Sequence, residues 1–417
     1  MKLIALKQLP KQLALSFVCL ALSAPVLAVE WRAEPSVTLS GTVDDNIRLQ
    51  GDSSLVDTAY GGILEPGLRL RALTQVWELS ARGRLQFQRY GGVSGVNQNN
   101  QYLDLNASRR FERSKLALKG TVIHDTSLND TVDPDAGLTT DKVRRLRLGA
   151  DASWDYQLSE RYFLDTGLKG YDTTYSDRGT SGLTDSYFIQ PSVGLGYQYS
   201  PRTRLNVYYT YGYIKPDEDL DTQTLVTDKS TTNSILAGVD HDFTERLNIN
   251  FAAGARRTST DSKFQVFDIT TGTISTQSDS DTDSGFTYNG GFTYAFDNGD
   301  WGLRASRDVQ PSSNGTSSDR TGVIFDGSRQ WTERFSTKLS ASYFRNRRVG
   351  DVNNDPNDRK NYRIAPTLSY KLTRDLSLDG RYVFRRVVRD ESGGKNASSN
   401  AGFVALRYDW PRISISR

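Results

Sequence analysis

The sequence predicts an all-β protein, a closed antiparallel transmembrane β-barrel of about 18 strands with short periplasmic turns and long extracellular loops. Three observations support this prediction. A secretory leader stands at the N-terminus, apolar and polar residues alternate through most of the remaining chain, and short connections alternate with long ones. Together they place the chain in the outer membrane of a Gram-negative cell.

The first element is a signal peptide. Three lysines precede a short apolar run at 13–22, and Ala28 ends a small-residue stretch suited to cleavage. The apolar run is too short to span a bilayer as a stable helix, which needs about 20 residues. We therefore divide the chain into a signal peptide at 1–28 and an outer-membrane β-barrel at 29–417.

The leader also accounts for the net charge and the cysteine. The formal net charge is +3, but the leader contains three lysines and no acidic residue, so the remaining chain is neutral. This balance gives no reason to expect a nucleic-acid partner. The single cysteine, Cys19, also lies in the leader, which leaves the mature chain without disulfides or thiol chemistry. We expect no cofactor.

The strands are predicted from alternation of apolar and polar residues. It is clearest in 146–156, 335–343 and 376–385; in the first of these, leucine, alanine, tryptophan and tyrosine fill the even positions. Successive side chains of a strand point to opposite faces, so each run has one apolar and one polar face. The runs of about ten to fourteen residues exceed the usual soluble strand and match a tilted strand crossing a bilayer.

The connections predict a barrel more strongly than any single strand. Short turns share an aromatic residue or leucine, then Thr/Ser, Glu/Pro and Arg, as in 199–202, 243–246 and 331–334. Nine long loops and eight such turns give about 18 strands, with both termini on the short-turn side. A β-propeller, the alternative, would lack loops that are long on one side only. The predicted long loops are 50–58, 91–100, 128–143, 176–185, 215–230, 261–283, 310–318, 349–359 and 390–398.

Aromatic residues concentrate at the predicted strand ends. Two rows at opposite ends of the outer face would form the interfacial girdles of a membrane barrel. A β protein that is simply rich in tyrosine is the alternative. The short-turn row is Phe111, Tyr199, Phe243, Phe296, Trp331 and Trp410, and the long-loop row is Tyr211, Tyr213, Phe286, Tyr288, Tyr343 and Tyr362.

The polar faces of the strands would line the lumen, and they carry more arginine than acid. The predicted basic wall comprises Arg69, Arg71, Arg82, Arg84, Arg110, Lys119, Arg145, Arg147, Arg256, Arg304, Arg363, Arg381, Arg385 and Arg407. The acids on the same faces are Glu65, Glu78, Asp104, Asp151, Asp155, Asp165, Asp379 and Asp409. A barrel this wide leaves an aqueous channel, and a basic wall favours anions. Cross-strand pairing that rigidifies the wall is the alternative, and both can hold.

Candidates for catalysis and for metal binding are few. His124 and His241 each precede an aspartate, but adjacent strand residues point to opposite faces, so neither pair forms a hydrogen-bonded dyad easily. We predict no enzyme activity, against the alternative of an outer-membrane hydrolase. The segment 351–355 resembles the start of a calcium loop but lacks its glycine and distal glutamate. We interpret it as a solvated acidic loop and expect no metal site.

The start of the mature chain resembles the β-barrel porin 2 family. The matching segments are Pro35–Ser40, Asp44–Ile47 at the end of the first strand, and Glu65–Leu68 in the second. The resemblance implies an outer-membrane barrel associated with exopolysaccharide synthesis and export. It implies polysaccharide and its synthesis and export proteins as partners, beside membrane lipid, lipopolysaccharide and the barrel-assembly machinery. No site residue of the family is carried over.

These observations lead to a functional expectation with two alternatives. We expect an outer-membrane channel that serves as a conduit for export of an anionic exopolysaccharide. The alternatives are a general or anion-favouring porin for small solutes and a structural or adhesive barrel. A TonB-dependent receptor is disfavoured because the first strand is predicted within about ten residues of the cleavage site, which leaves no room for a plug domain.

Overall fold

The computed structural model describes most of the mature chain. The described residues are 29–128, 139–176, 181–216, 226–268, 273–349, 358–389 and 395–416. The predicted signal peptide at 1–28 and the calcium-loop-like segment at 351–355 lie outside these residues. Within the described part of the chain, no helix has the length and hydrophobicity of a membrane span.

The fold is a closed antiparallel β-barrel, as the sequence predicts. Eighteen long strands form the wall, and a short nineteenth extends it. One 3₁₀ turn, Ser53–Leu55, interrupts the first loop. The strands are β1 (Glu30–Asp44), β2 (Ala59–Leu73), β3 (Trp77–Gly91), β4 (Gln98–Arg110), β5 (Ser114–Thr126), β6 (Arg144–Gln157), β7 (Tyr162–Ser176), β8 (Ser186–Ser200), β9 (Thr203–Pro216), β10 (Val226–Asp242), β11 (Leu247–Asp268), β12 (Thr273–Phe296), β13 (Gly299–Pro311), β14 (Ser317–Gln330), β15 (Phe335–Arg348), β16 (Arg359–Lys371), β17 (Leu376–Arg389), β18 (Ala397–Asp409) and β19 (Ile413–Ser416).

The barrel closes where the first strand meets the last. In this pair Ser36 lies opposite Asp409 and Asp44 lies opposite Ala401. After a break at Trp410, β19 resumes the pairing with the first residues of β1. Closure gives every wall strand two neighbours, which satisfies backbone groups that lipid could not.

The short turns have a common physical basis in threonine. At three turns the hydroxyl of Thr244, Thr332 or Thr373 accepts a hydrogen bond of 3.0 Å from the backbone N–H three residues later. A side chain that mimics the backbone in this way stabilises a tight turn. This geometry explains the pattern that recurs in the sequence. The start of β1 and the end of β19 lie on the same side as these turns.

The outer face of the barrel is apolar. In β9, for example, Leu205, Val207 and Tyr209 are exposed, whereas the alternating Asn206 is 4% exposed. An exposed apolar belt of this kind would be unstable in water and is stable in lipid. At the two ends of the belt aromatic rings meet in pairs, such as Tyr408 with Trp410, Phe296 with Trp301 and Tyr343 with Tyr362. The outer-membrane assignment follows from this belt and from closure.

One predicted loop, 261–283, is wrong, because most of it belongs to strands β11 and β12. The two strands pair continuously from Leu247 opposite Tyr294 to Asp268 opposite Thr273. Their outer halves carry serine, threonine and aspartate on both faces, so no apolar alternation marks them. Backbone pairing and polar cross-strand contacts stabilise them instead, as where Ser280 Oγ donates to Asp261 at 2.6 Å.

The wall divides at the extracellular end between β12 and β13. Pairing of these strands stops at Tyr288 opposite Arg307, although β13 and β14 remain paired as far as Pro311 opposite Ser317. The end of β13 therefore separates from β12, whereas β14 remains paired with β15 as far as Ser318 opposite Arg348. We call the end of the β13–β14 hairpin, residues 307–321, the inward hairpin, because the contacts of its β13 side and of its tip lie on the inner face of the opposite strands.

Candidate functional site: the barrel interior

The strand register places the predicted basic residues on the face opposite the apolar belt. On β2 and β3, Arg69 lies opposite both Glu34 and Arg82, while Leu68 and Leu85 are exposed on the outer face. The same alternation assigns the other members of the predicted wall to the inner face: Arg71, Arg84, Arg110, Lys119, Arg145, Arg147, Arg256, Arg304, Arg363, Arg381, Arg385 and Arg407.

Near the extracellular mouth these arginines are buried in ion pairs. Arg145 binds Asp125 through two parallel hydrogen bonds of 2.9 and 2.8 Å, with both side chains at most 7% exposed. Arg385 donates to Asp44 at 2.5 Å. Two-point guanidinium–carboxylate contacts fix geometry, and removing one partner leaves a costly buried charge. These arginines therefore hold the mouth together rather than face solvent.

Arg256 is the centre of a larger network at the mouth. Its guanidinium contacts Asp283 of β12 and Asp319 of the inward hairpin, each at 3.0 Å. Arg307 also binds Asp319, at 2.7 Å. The network joins the inward hairpin to β11 and β12 across the gap between β12 and β13.

Lower in the barrel the ion pairs are longer or more exposed to solvent. Arg84 lies 3.7 Å from Glu65, and Arg407 lies 4.0 Å from Asp379. Arg304 pairs with Asp326 at 2.9 Å, although its side chain is 71% exposed. Ion pairs in water contribute little to stability. These arginine side chains are 30–71% exposed, so the lumen is accessible to solvent at this level and the arginine charges are only partly neutralised.

Positive charge accumulates where two arginines lie directly opposite each other. The inner face has Arg69 opposite Arg82 and Arg363 opposite Arg385. Nearer the mouth Arg359 lies opposite Arg389, a pair the predicted wall omits because Arg359 falls within a predicted loop. Like charges at opposed positions destabilise a sheet. We call the inner face of β16–β18 and β1–β3 the basic arc.

The inward hairpin packs across the mouth against β7–β10. Val309 is buried against Phe188 and Ile214. Near the tip, the Tyr175 hydroxyl donates to Ser313 Oγ at 2.7 Å, and the Thr184 N–H donates to the Ser313 carbonyl at 2.8 Å. These contacts bring together strands that are far apart around the wall.

Asp228 anchors the tip of the inward hairpin. This carboxylate is fully buried and accepts two hydrogen bonds from Arg348, at 2.8 and 3.0 Å. Its backbone N–H donates to the Gly315 carbonyl at 2.8 Å. Gly315 has φ +82°, and a Cβ there would lie 3.1 Å from Thr184, so glycine suits both the backbone and the space.

A second segment covers the other half of the mouth. We call residues 45–58, between β1 and β2, the first loop. Ile47 packs on Val96 and Leu128, and Leu49 packs on Val387. Arg48 Nη1 donates to the carbonyl of Thr140 at 3.0 Å. The first loop and the inward hairpin together narrow the entrance from two sides.

The histidines lie apart from the lumen chemistry. His124 shares the outer-face register while Asp125 points inward to Arg145. The Nδ1 atom of His241 lies 2.9 Å from the Thr203 hydroxyl, beside a periplasmic turn. Among the described residues, no group of three potential ligands is placed to hold a metal ion.

The architecture defines the class of protein. A closed barrel of eighteen strands with a lipid-facing outer belt and a charged interior is an outer-membrane β-barrel. No family model matches the chain, and no curated protein is similar to it in sequence.

Solved structures with a similar overall architecture include three outer-membrane proteins. OccAB4 of Acinetobacter baumannii has 11% identity, with 92% of this chain and 98% of that chain covered and a TM-score of 0.41. OpdO of Pseudomonas aeruginosa has 13% identity, coverage of 92% and 97%, and a TM-score of 0.43. A BenF-like porin from Pseudomonas fluorescens Pf-5 has 10% identity, coverage of 92% and 99%, and a TM-score of 0.41. These values are too low to transfer a substrate or a site.

Proposed function

We propose that the protein is a passive outer-membrane channel for small solutes, with a preference for anions. The interior supports this proposal because it is polar, accessible to solvent and lined by a basic arc. The single observation that carries the preference is the opposition of Arg69 with Arg82 on the inner face. An excess of fixed positive charge attracts anions and repels cations.

Export of an anionic exopolysaccharide, which the sequence resemblance implies, is the less supported alternative. A polymer needs an open path along its whole length. Here the inward hairpin and the first loop both lie across the mouth, and the hairpin tip is hydrogen-bonded to Asp228, which is itself fixed by a buried ion pair with Arg348. A narrowed mouth admits small solutes more readily than a polymer. Lipid, lipopolysaccharide and the barrel-assembly machinery remain proposed partners, and 1–28 remains a predicted signal peptide.

The test is ion selectivity in a planar bilayer. Under a salt gradient, we expect the wild-type reversal potential to show anion preference, and the combined Arg69→Gln, Arg82→Gln and Arg363→Gln variant to lose most of it. The effect should shrink as salt rises, because the Debye length falls from about 10 Å at 0.1 M to about 3 Å at 1 M. Cation preference in the wild type would contradict the proposal.

Arg246→Gln is the matched control. Arg246 carries the same charge but pairs with Asp297 at a periplasmic turn, where both side chains are more than half exposed. Its loss should leave the reversal potential unchanged. A deletion strain separates solute uptake from polymer export: unchanged secreted polymer with impaired growth on an anionic solute supports the channel, and lost polymer supports export.

A further inference from the structure

The inner face of β8–β12 differs in chemistry from the basic arc. Most of its side chains toward the lumen are amides and hydroxyls. We call this set, together with the adjoining Ser306 of β13, the neutral strip, and its members are Gln190, Ser192, Asn206, Thr210, Thr232, Ser234, Asn250, Asn289 and Ser306.

The neutral strip is recessed because several inward positions have little or no side chain. Gly212, Gly238 and Ala252 line it, so the neighbouring strands leave room above their backbones. Two adjoining cavities of about 120 and 240 Å³ result, and both are lined by Thr210 and Asn289. Their combined space suits a small ligand rather than a polymer.

The strip has hydrogen-bonding capacity that the protein does not use. Among the described residues, the side chains of Gln190, Thr210, Asn250 and Asn289 have no hydrogen-bond partner, although neighbours such as Thr232 do. An amide offers two donors and an acceptor, and a hydroxyl offers both functions. A ligand that both donates and accepts would use all of them.

An aromatic ring and an apolar floor accompany the polar groups. The Tyr208 ring lies over Gly194, whose missing Cβ would come within 2.6 Å of two ring carbons. Leu236, at 5% exposure, lies in the floor shared by the two cavities. Aromatic and aliphatic surface beside a few convergent polar groups is the usual composition of a small-molecule site.

Charged side chains at the borders of the strip have hydrogen-bond partners within the protein. Asp240 accepts from Asn206 at 2.6 Å, and Arg256 is bound by Asp283 and Asp319. The inward hairpin contributes Val309 to the lining of the smaller cavity and covers that cavity from the extracellular side. Arg256 is therefore neutralised, whereas the Asp240 carboxylate keeps its negative charge and can accept further hydrogen bonds, so the recess disfavours an anionic solute.

We infer that the neutral strip is a binding subsite for an uncharged polyhydroxylated solute, a mono- or disaccharide. Sugar hydroxyls both donate and accept, which matches the free amides and hydroxyls, and the apolar faces of a sugar ring match Tyr208 and Leu236. An inorganic anion would use only the donors. This inference rests on the proposed channel for access, but it assigns a second ligand class to a separate part of the lumen.

The experiment measures block of single-channel current by sucrose, with a polyethylene glycol of similar mass as the control for excluded volume. We expect sucrose to block wild type at lower concentration than the glycol. The combined Asn250→Leu, Asn289→Leu and Thr210→Val variant should weaken the sucrose block by about tenfold, as expected for two or three lost hydrogen bonds. Its ion selectivity should be unchanged, because no charge is altered.

Asn106→Leu with Thr121→Val is the matched control, because these inward residues lie on β4 and β5, outside the strip. It should leave sucrose block unchanged. Equal block by sucrose and glycol in wild type, or equal loss in both variants, would overturn the subsite. Calorimetry with sucrose in an amine-oxide detergent tests binding without current. Absent conductance with sucrose binding would refute the channel alone, and absent binding would refute the subsite.

Discussion

The basic arc and the neutral strip face each other across one lumen, and a different segment covers each of them at the extracellular end. The neutral strip lies under the inward hairpin, which is fixed by the buried Arg256–Asp319 ion pair and by a hydrogen bond from its tip to Asp228. The basic arc lies beside the first loop, which is held by apolar packing of Ile47 and Leu49 and by an exposed contact from Asp52 to Lys395. The two halves of the mouth should therefore respond differently to mutation.

Removing the tip of the inward hairpin should produce the largest effect. Replacing 312–316 with Asn-Gly preserves a tight turn between β13 and β14 but removes the contacts of Ser313 and Gly315. We expect single-channel conductance to rise about twofold or more as the mouth widens. Shortening the exposed β11–β12 hairpin by replacing 264–277 with Asn-Gly, which keeps a tight turn between Lys263 and Ser278, should leave conductance unchanged. Equal conductance in both variants would mean that the hairpin does not limit flow.

Asp228→Ala tests the residue that holds the tip of the inward hairpin. The substitution leaves Arg348 partly buried without its carboxylate, which costs about 3–5 kcal/mol when a buried ion pair is broken. We expect the mouth to loosen, with larger current fluctuations and a lower midpoint of unfolding in denaturant. Asp297→Ala, which removes the exposed partner of Arg246, should cost no more than about 0.5 kcal/mol. Similar losses in the two variants would contradict the assigned difference in burial.

The smallest effect is expected from the exposed contact of the first loop. Hydrogen bonds from Lys395 and Ser54 hold the pKa of the Asp52 carboxyl well below its ordinary value of 3.8. Since the folded pKa is lowered, any stabilisation is present above the unfolded pKa and is lost as pH falls through the folded value. Lys395→Ala should therefore change stability little at neutral pH. The wild-type advantage should fade only in strong acid, as measured by unfolding at pH 7, 4 and 2.

The barrel itself could be predicted from local pattern because membrane strands impose strict rules. Alternation in runs such as 146–156 identifies the faces, and the threonine-containing turns such as 243–246 mark the periplasmic end. Both features depend on residues close in sequence. The register then places Arg69 and Arg363 on the inner face, as the alternation predicts.

The inward hairpin and the neutral strip could not be predicted in this way. The segment 310–318 has the composition of an ordinary polar loop. Tyr175, which donates to Ser313 of this segment, lies 138 positions away in the sequence. The strip has no net charge to mark it, and its recess depends on which glycines become neighbours across strands, such as Gly194 beside Tyr208. Only the pairing of distant strands reveals either feature.

The division of the wall has a further consequence for crowded membranes. Beyond Tyr288, among the described residues, β12 pairs only with β11, so its outer half from Thr273 is a free sheet edge. Such an edge is a template on which a second barrel could add a strand and aggregate. Asp279 and Asp281 are exposed along it, and identical edges brought together would set these carboxylates near one another. The acidic edge thus protects the protein from self-association above the membrane.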